Sequence, residues 1–378
     1  MEQEEEGESQ GPVKDLASAQ DVSPAADLGP DELIDLSQDA PPPSDSDFRE
    51  GDEELAGPTD RRTLALPDSV QTAAAYPSSK YFDLRDGSTK LIRDKTLKGT
   101  RTAMQSFGFD KDNKRIYVLQ LDGSAADGNL WVTQLDYAGN YLGYMRLLAC
   151  GHGVSMGVQS QGAGKNPWIW TEYKGKPNAH GDLRGTRLMR FHWNNGVTIA
   201  PGSSYAHQHT PVPGSFNNTC NIDPVNNRLA LRYQPATGGG TKIAIFNTED
   251  VGRNKYTPLL TVTQPAGPGP SFQGYALYGN YLYFLNGNRV ATCPGVENGG
   301  STTIQMMNVL TGAVSAPVYT NAGYTIGGRE PEGMAIQVPD PAQPTKVRLC
   351  FGFAGVPSCS DTSHRRASIY YKDVLRSA

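Results

Sequence analysis

Between Met104 and the C-terminus a four-part pattern of short apolar and β-rich runs occurs five times, and a chain patterned in this way closes into a ring of small antiparallel sheets. The first member opens at Met104-Gln105-Ser106-Phe107-Gly108-Phe109-Asp110, turns through Asp112-Asn113-Lys114, and runs on as Arg115 to Gln120, Leu130 to Leu135 and Tyr141 to Met145. The second opens at His152 to Val158 and continues at Trp168 to Tyr173 and Arg187 to Trp193. The third opens at Thr219 to Asp223, turns at Pro224-Val225-Asn226-Asn227, and continues at Arg228 to Tyr233 and Lys242 to Phe246. The fourth spans Phe272 to Leu277 and Tyr281 to Leu285; the fifth spans Pro331 to Ile336, Lys346 to Phe351 and Ser368 to Tyr371. Aligning Ser106, Val154, Cys220, Gly274 and Gly333 gives spacings of 48, 66, 54 and 59 residues, which suits blades with variable loops better than a tight solenoid.

Apolar and polar residues alternate within these runs, β-branched and aromatic residues are enriched, and Asn, Asp and Gly stand at the turns. Apolar spacings of three and four, which a helix requires, are scarce after residue 100. The expected fold is therefore all-β: a five-bladed β-propeller of four-stranded antiparallel blades. The fifth repeat has no fourth strand of its own before Ala378, and a sheet one strand short leaves an open edge. The segment from Tyr81 to Arg93 is expected to fill it by pairing beside residues 368–373 and so close the ring.

Charge divides the chain. Residues 1–60 hold 19 Asp or Glu against Lys14 and Arg49, a net −17, and the remaining 20 acids and 32 bases leave +12 for the rest. Residues 1–63 therefore read as an acidic, Pro/Ser-rich arm, too poor in apolar side chains to fold alone. Its segments 31–36 and 53–55 are candidate docking motifs. Residues 64–378 read as the propeller, with its closing strand at about 81–93. No apolar stretch reaches bilayer-spanning length and no basic-then-apolar leader opens the chain, so classical secretion is not expected. Of the five cysteines, at 150, 220, 293, 350 and 359, Cys350 and Cys359 form the one nearby pair worth testing for a disulfide, and no metal-type pairing occurs.

Several patterns suggest chemistry. Gly153-Val154-Ser155-Met156-Gly157 fits the G-x-S-x-G elbow, but a Gly-rich loop and a strand follow Ser155 where a nucleophile elbow needs a helix. Ser155 is expected to be the small-residue inner strand of a blade, and no catalytic residue is assigned. His207 and His209 lie on one face of an extended segment and could begin a metal site, yet further ligands are missing; His180, His192 and His364 stand alone. No cofactor or metal is expected.

Near the start of each inner strand stands a polar residue: Gln105, His152, Thr219 (or Asn218), Gln273 and Glu332. Converging on the axis, they could hold an ion, water or a small ligand; the plain alternative is a channel lined by groups bonded to water and backbone. Tyr173, Lys174, Lys176, Arg184 and Arg187 cluster around one loop of the second blade and form a candidate surface for an anionic polymer or carbohydrate. Nucleic acid would satisfy the same charge, but neither a nucleic-acid-binding motif nor a continuous basic run is present.

Lys95-Thr96-Leu97-Lys98 with Met104-Gln105-Ser106-Phe107, the run Gly151 to Gly157, and the run Thr219 to Ala230 resemble the propeller shared by phage receptor-binding proteins and teichoic acid biosynthesis protein C. The resemblance covers about residues 80–378 with three segments in order. It implies a five-bladed propeller, a non-enzymatic role in the virion as part of a tail fibre, baseplate or decoration, and recognition of a host cell-wall glycopolymer such as wall teichoic acid. It also implies a homo-oligomer, usually a trimer, and the acidic arm would then join the propeller to other virion structural proteins. Family members carry helical stems before the propeller and tower modules after it, where this chain has an acidic arm and stops at the fifth blade. A bacterial secreted or cell-surface propeller, bacteriocin-like, is the alternative setting; an axial-metal hydrolase built on Glu332 and His152 is a third and weaker one.

Overall fold

The computed structural model describes residues 79–267, 271–293, 295 and 300–377. The acidic arm, with its segments 31–36 and 53–55, lies outside the described residues. Strands β1 (Tyr81–Phe82) and β2 (Thr89–Lys95) precede blade 1, which contains β3 (Met104–Asp110), β4 (Arg115–Leu121), β5 (Leu130–Asp136) and β6 (Tyr141–Leu147). Blade 2 contains β7 (Gly157–Gln159), β8 (Trp168–Pro177), β9 (Leu183–His192) and, after the detour β10 (Thr198–Ile199), β11 (His207–His209). Blade 3 contains β12 (Phe216–Asp223), β13 (Arg228–Gln234) and β14 (Lys242–Asn247), then a one-turn helix α1 (Thr248–Gly252) and β15 (Leu260–Thr263). Blade 4 is β16 (Phe272–Tyr278), β17 (Tyr281–Asn286), β18 (Thr303–Asn308) and β19 (Val318–Tyr319). Blade 5 is β20 (Glu330–Gln337), β21 (Arg348–Gly355) and β22 (Arg366–Lys372), followed by β23 (Leu375–Arg376).

The fourth strand of blade 5 comes from the other end of the propeller, as the open edge demands. β2 pairs antiparallel with β22, from Thr89 opposite Tyr371 to Lys95 opposite Ala367, and β1 pairs with β23. Blade 1 gains more than was expected. β10, carried on the excursion that leaves blade 2 after β9, adds a fifth strand parallel to β6, with Thr198 opposite Arg146.

Turn chemistry repeats with the blades. Asp110 accepts from the backbone N–H groups of Asp112 and Asn113 and from Asn113 Nδ2, and the chain then passes through Lys114 at φ 54°. Asp223 does the same for Val225 and Asn226, ahead of Asn227 at φ 51°. The buried Asp223 also accepts from Gly279 N at 2.8 Å and so ties blade 3 to blade 4. A short polar side chain folding back on its own turn is what Asp and Asn at these offsets supply.

Apolar side chains of the described residues gather into five clusters, and each fills the gap between neighbouring blades. Met156 and Ile169 meet Leu119 and Val132 between blades 1 and 2, while Trp170 and Leu188 meet Cys220 and Leu229 between blades 2 and 3. Ala230 and Ile243 meet Tyr275 between blades 3 and 4, and Tyr283 and Leu285 meet Met334 and Phe351 between blades 4 and 5. Ile369 and Cys350 meet Phe107 and Ile116 between blades 5 and 1, where Ile92 of β2 joins them.

The inner strands touch one another. A Cβ on Gly274 would come within 2.8 Å of Gly333 Cα, and one on Gly333 within 2.7 Å of Ser106 Cα, so blades 4, 5 and 1 meet only because these positions carry no side chain. Ser106 Oγ donates to Gly153 O at 2.6 Å and Ser155 Oγ to Cys220 O at 2.8 Å, which joins blades 1, 2 and 3. Asn221 donates to Met334 O and accepts from Leu277 N, bridging blade 3 to blades 5 and 4. Beside this seal a void of about 10 Å³ is lined by residues such as Gly108, Gly157, Asn221 and Ala335.

The disulfide differs from the expected pair. Cys293 bonds Cys359, with the Cα atoms 5.5 Å apart, while Cys350 is a free, fully buried thiol. Cys350 points from β21 into the cluster between blades 5 and 1, and the chain then runs along that strand to reach Cys359 in the loop after it. Cys293 lies in the corresponding loop of blade 4, so the bond joins neighbouring loops across 66 residues of sequence.

Candidate functional site

The five polar residues assigned to the axis have separate environments. Gln105 Nε2 lies 3.5 Å from Glu332 Oε1, which brings blades 1 and 5 together. Gln273 instead donates to Gly287 O of its own blade at 3.0 Å. His152 Nδ1, Thr219 Oγ1 and both amide atoms of Asn218 are buried with no hydrogen-bond partner among the described residues. Burial, helped by nearby Arg184, depresses His152 to about 4, so it is neutral at physiological pH. Among the described residues no group of three or more His, Cys, Asp or Glu side chains is placed to hold a metal.

Glu332 is 4% exposed, and burial, reinforced by Glu330, pushes its carboxyl well above the ordinary 4.5. The folded ring thus holds this proton more tightly than the unfolded chain. Its stabilising contribution is complete below the unfolded pKa and is lost as the pH rises through the folded one. Glu332→Gln is expected to stabilise the ring at pH 7 by about 1–3 kcal/mol and to flatten the decline of stability above pH 4.5, because it removes a group that on folding must either take up a proton or be buried charged, while keeping the amide contact with Gln105. Thermal melts between pH 4 and 8 check this; a variant less stable than the wild type at pH 7 would mean that the carboxylate charge is compensated at the axis.

The basic set on blade 2 divides. Lys174 and Lys176 are exposed, but Arg184 pairs with Asp182 at 3.3 Å and Arg187 lies 3.4 Å from Gln208 Oε1. Tyr173 does not belong to an exposed surface: it is fully buried among the side chains between blades 1 and 2, with its hydroxyl accepting from Gly202 N at 3.1 Å. β8 explains this, since Ile169 to Tyr173 are buried on both faces of the strand and exposure begins only at Lys174.

Ser155 is 1% exposed and its hydroxyl is spent on Cys220 O, so the G-x-S-x-G run forms an inter-blade clasp. The expected inner strand of blade 2 is correspondingly short. Residues 152–155 form a bend and only Gly157–Gln159 pair as β7. The bend is organised by Glu172, which pattern reading passed over because it looked like an ordinary polar position in β8. Fully buried, its Oε1 accepts from Gly153 N and its Oε2 from Gly185 N, both at 2.6 Å, and the backbone of His152 also donates to it. Burial raises this carboxyl above its ordinary range while the three amide donors pull in the opposite direction.

The two histidines of β11 have different fates. His209 is buried against Trp170, with Nδ1 3.1 Å from Asn254 Oδ1, and burial lowers it to about 4. His207 is exposed and meets the edge of Trp168 at 5.2 Å. Trp168 itself is held between His192, stacked with centroids 3.5 Å apart, and the Arg190 guanidinium, 4.3 Å from the ring centre.

Five sheets around a sealed axis, with the outer strand of the last blade supplied from before the first, define a five-bladed β-propeller closed through its N-terminal strand. Residues 103–370 match the phage 5-bladed beta propeller receptor binding platform domain, and the chain belongs to that family of phage receptor-binding propellers. It is 29% identical over 212 residues to the putative major teichoic acid biosynthesis protein C of Bacillus subtilis (strain 168), covering 55% of this chain and 46% of the relative. In fold it is similar to the tail fiber of Staphylococcus aureus phage P68, with a TM-score of 0.58 and 19% identity over 78% of this chain and 53% of the fibre. The chain thus spans about half the length of each of these relatives.

Proposed function

We propose that this chain is a non-enzymatic adsorption protein of a phage virion, which presents its propeller to an anionic glycopolymer of the host cell wall. The observation that carries the reading is the family match over residues 103–370. Three facts support the finer claims: the +12 charge of residues 61–378, the name of the Bacillus subtilis relative, and the fold shared with a tail fibre. A polymer of sugar or polyol phosphates offers repeated anions to such a surface, and the acidic arm is the segment proposed to dock on another virion protein. The disulfide between exposed loops suits a protein that works outside a reducing cytoplasm.

Purified full-length protein is expected to sediment with Gram-positive cell walls at low ionic strength. Release is expected in 1 M NaCl, where the Debye length is about 3 Å, and after chemical stripping of teichoic acid from the walls. Walls that bind equally before and after stripping would remove the polymer from the proposal, and absence of binding at low salt would remove adsorption itself. The bacterial relative favours a second reading, a cell-surface propeller of the host, and labelling of intact phage particles with antibody against the chain separates the two.

A further inference from the structure

Blade 2 carries a groove on the side away from the bend at residues 152–155, formed by the loop between β7 and β8 and by the excursion that carries β10. Its open volume is about 860 Å³, enough for more than one sugar unit, and its lining includes Lys165, Trp168, His192, Asn194, Tyr205 and His207 but no carboxylate. We infer that this groove is the binding site for a sugar-phosphate unit of the glycopolymer, an inference that rests on the receptor-binding reading and gives it a location.

The walls of the groove are fixed in advance. Gly162 N donates to Asp112 Oδ2 at 2.8 Å and Gly164 N to Asn113 Oδ1 at 2.7 Å, while Asn113 Nδ2 donates to Lys165 O at 2.8 Å. The Gly-rich loop is thus pinned by the first hairpin of blade 1. Trp168 is clamped by its His192 and Arg190 neighbours, and Arg190 is anchored in turn on Gly252 O at 2.8 Å. A prearranged site loses little side-chain entropy when a ligand arrives.

The exposed groups match a phosphorylated sugar. Tyr205, 58% exposed, is the most exposed of the large hydrophobic side chains among the described residues, and a sugar ring stacks on such a face. His192 Nδ1 faces the carbonyls of Asn166 and Pro167, at 3.2 and 3.3 Å, and therefore carries a proton. Its Nε2 has no protein partner among the described residues. Lys165 is exposed and forms no ion pair among them, so its ammonium is free for an anion, while His192 Nε2, with Gln161, Asn166 and Ser204 nearby, can meet sugar hydroxyls. A neutral glycan would use the aromatic face and the hydroxyl partners and leave an unpaired ammonium in a lining without carboxylates unexplained.

The test uses the full chain and N-acetylglucosamine 1-phosphate as probe, with N-acetylglucosamine and inorganic phosphate beside it, read by saturation-transfer NMR and tryptophan fluorescence. The sugar phosphate is expected to bind more tightly than either fragment. Tyr205→Ser and Lys165→Ala, both at exposed positions, are each expected to weaken it about tenfold and to lower wall sedimentation in parallel. Tyr319→Ser, at an exposed tyrosine on blade 4, is the control expected to change neither. Wall binding that survives both groove variants would overturn the groove while leaving adsorption intact. Equal affinity for the sugar with and without phosphate would overturn the anionic assignment. Probe binding without wall binding would support the groove and count against adsorption, and a wild type that binds neither would sink both.

Discussion

A chain that begins at residue 96, lacking β1 and β2, is expected to lose cooperative folding, whereas one that begins at residue 79 serves as the intact reference. β2 forms the outer strand of blade 5 along the length of β22, and its loss exposes that row of backbone groups to solvent and to other chains. The buried side chains lost with it include Phe82, Leu84 and Ile92, each worth about 1.5–3 kcal/mol in transfer alone. Phe82 also packs against Tyr278 and Tyr283, and its N–H donates to the Tyr283 hydroxyl at 2.9 Å, so the segment braces blade 4 as well as blade 5. Asp83 pairs with Arg376 at 2.9 Å, and Lys372 Nζ donates to Asp86 O. Together these contributions approach the whole stability of an ordinary domain, about 5–15 kcal/mol. Calorimetry of the two lengths decides the matter: a truncated ring that melts within a few degrees of the reference shows that closure by β2 is dispensable.

That closure was legible because it follows from counting. Five repeats of four strands with the last one short require a donor, and Tyr81 to Arg93 was the one β-rich run left before the first repeat. The turns were legible for a similar reason, since Asp110 to Lys114 and Asp223 to Asn227 place the same polar side chains at the same offsets and each hairpin is stabilised within itself. Features that depend on neighbours in space were hidden. Cys350 and Cys359 look paired in sequence, yet the intervening strand carries them apart, and Cys293 becomes close to Cys359 only once blades 4 and 5 lie side by side. Tyr173 reads as part of a basic surface when its neighbours in sequence are considered, but it is the last residue of a stretch of β8 that neighbouring blades bury on both faces. The groove on blade 2 was invisible for the same reason. Trp168, His192 and His207 belong to three different strands, and the loop bearing Lys165 is shaped by Asp112 and Asn113 of another blade. Residues 161–165, glycine-rich and ending in lysine, are its one local signal, and in sequence they are a Gly-rich loop ahead of a strand.

Glu172 and Glu332 are both buried carboxylates, and replacement of each by glutamine is expected to act in opposite directions. At Glu332 the amide removes a carboxyl whose ionisation the buried site opposes. At Glu172 both oxygens are already acceptors, Oε1 for Gly153 N and Oε2 for Gly185 N, so an amide nitrogen in either place sets one N–H against another. Glu172→Gln is therefore expected to destabilise the ring, and Glu172→Ala more so, since it leaves the amides of His152, Gly153 and Gly185 without their acceptor at about 1–3 kcal/mol each, or about 3–9 kcal/mol in total. The damage extends beyond the bend. Gly153 O receives the Ser106 hydroxyl from blade 1, and Ser155 two residues on reaches Cys220 of blade 3, so the carboxylate holds the segment through which three inner strands join. Gly151 is part of the same design: a Cβ there would lie 2.0 Å from Glu172 Oε2, and the chain passes the carboxylate at φ 154°. Urea unfolding of Glu172→Ala, Glu172→Gln and Glu332→Gln at pH 7 compares the two sites directly. A Glu172→Gln ring as stable as the wild type would mean that the bend is held by packing and that the carboxylate is incidental to it.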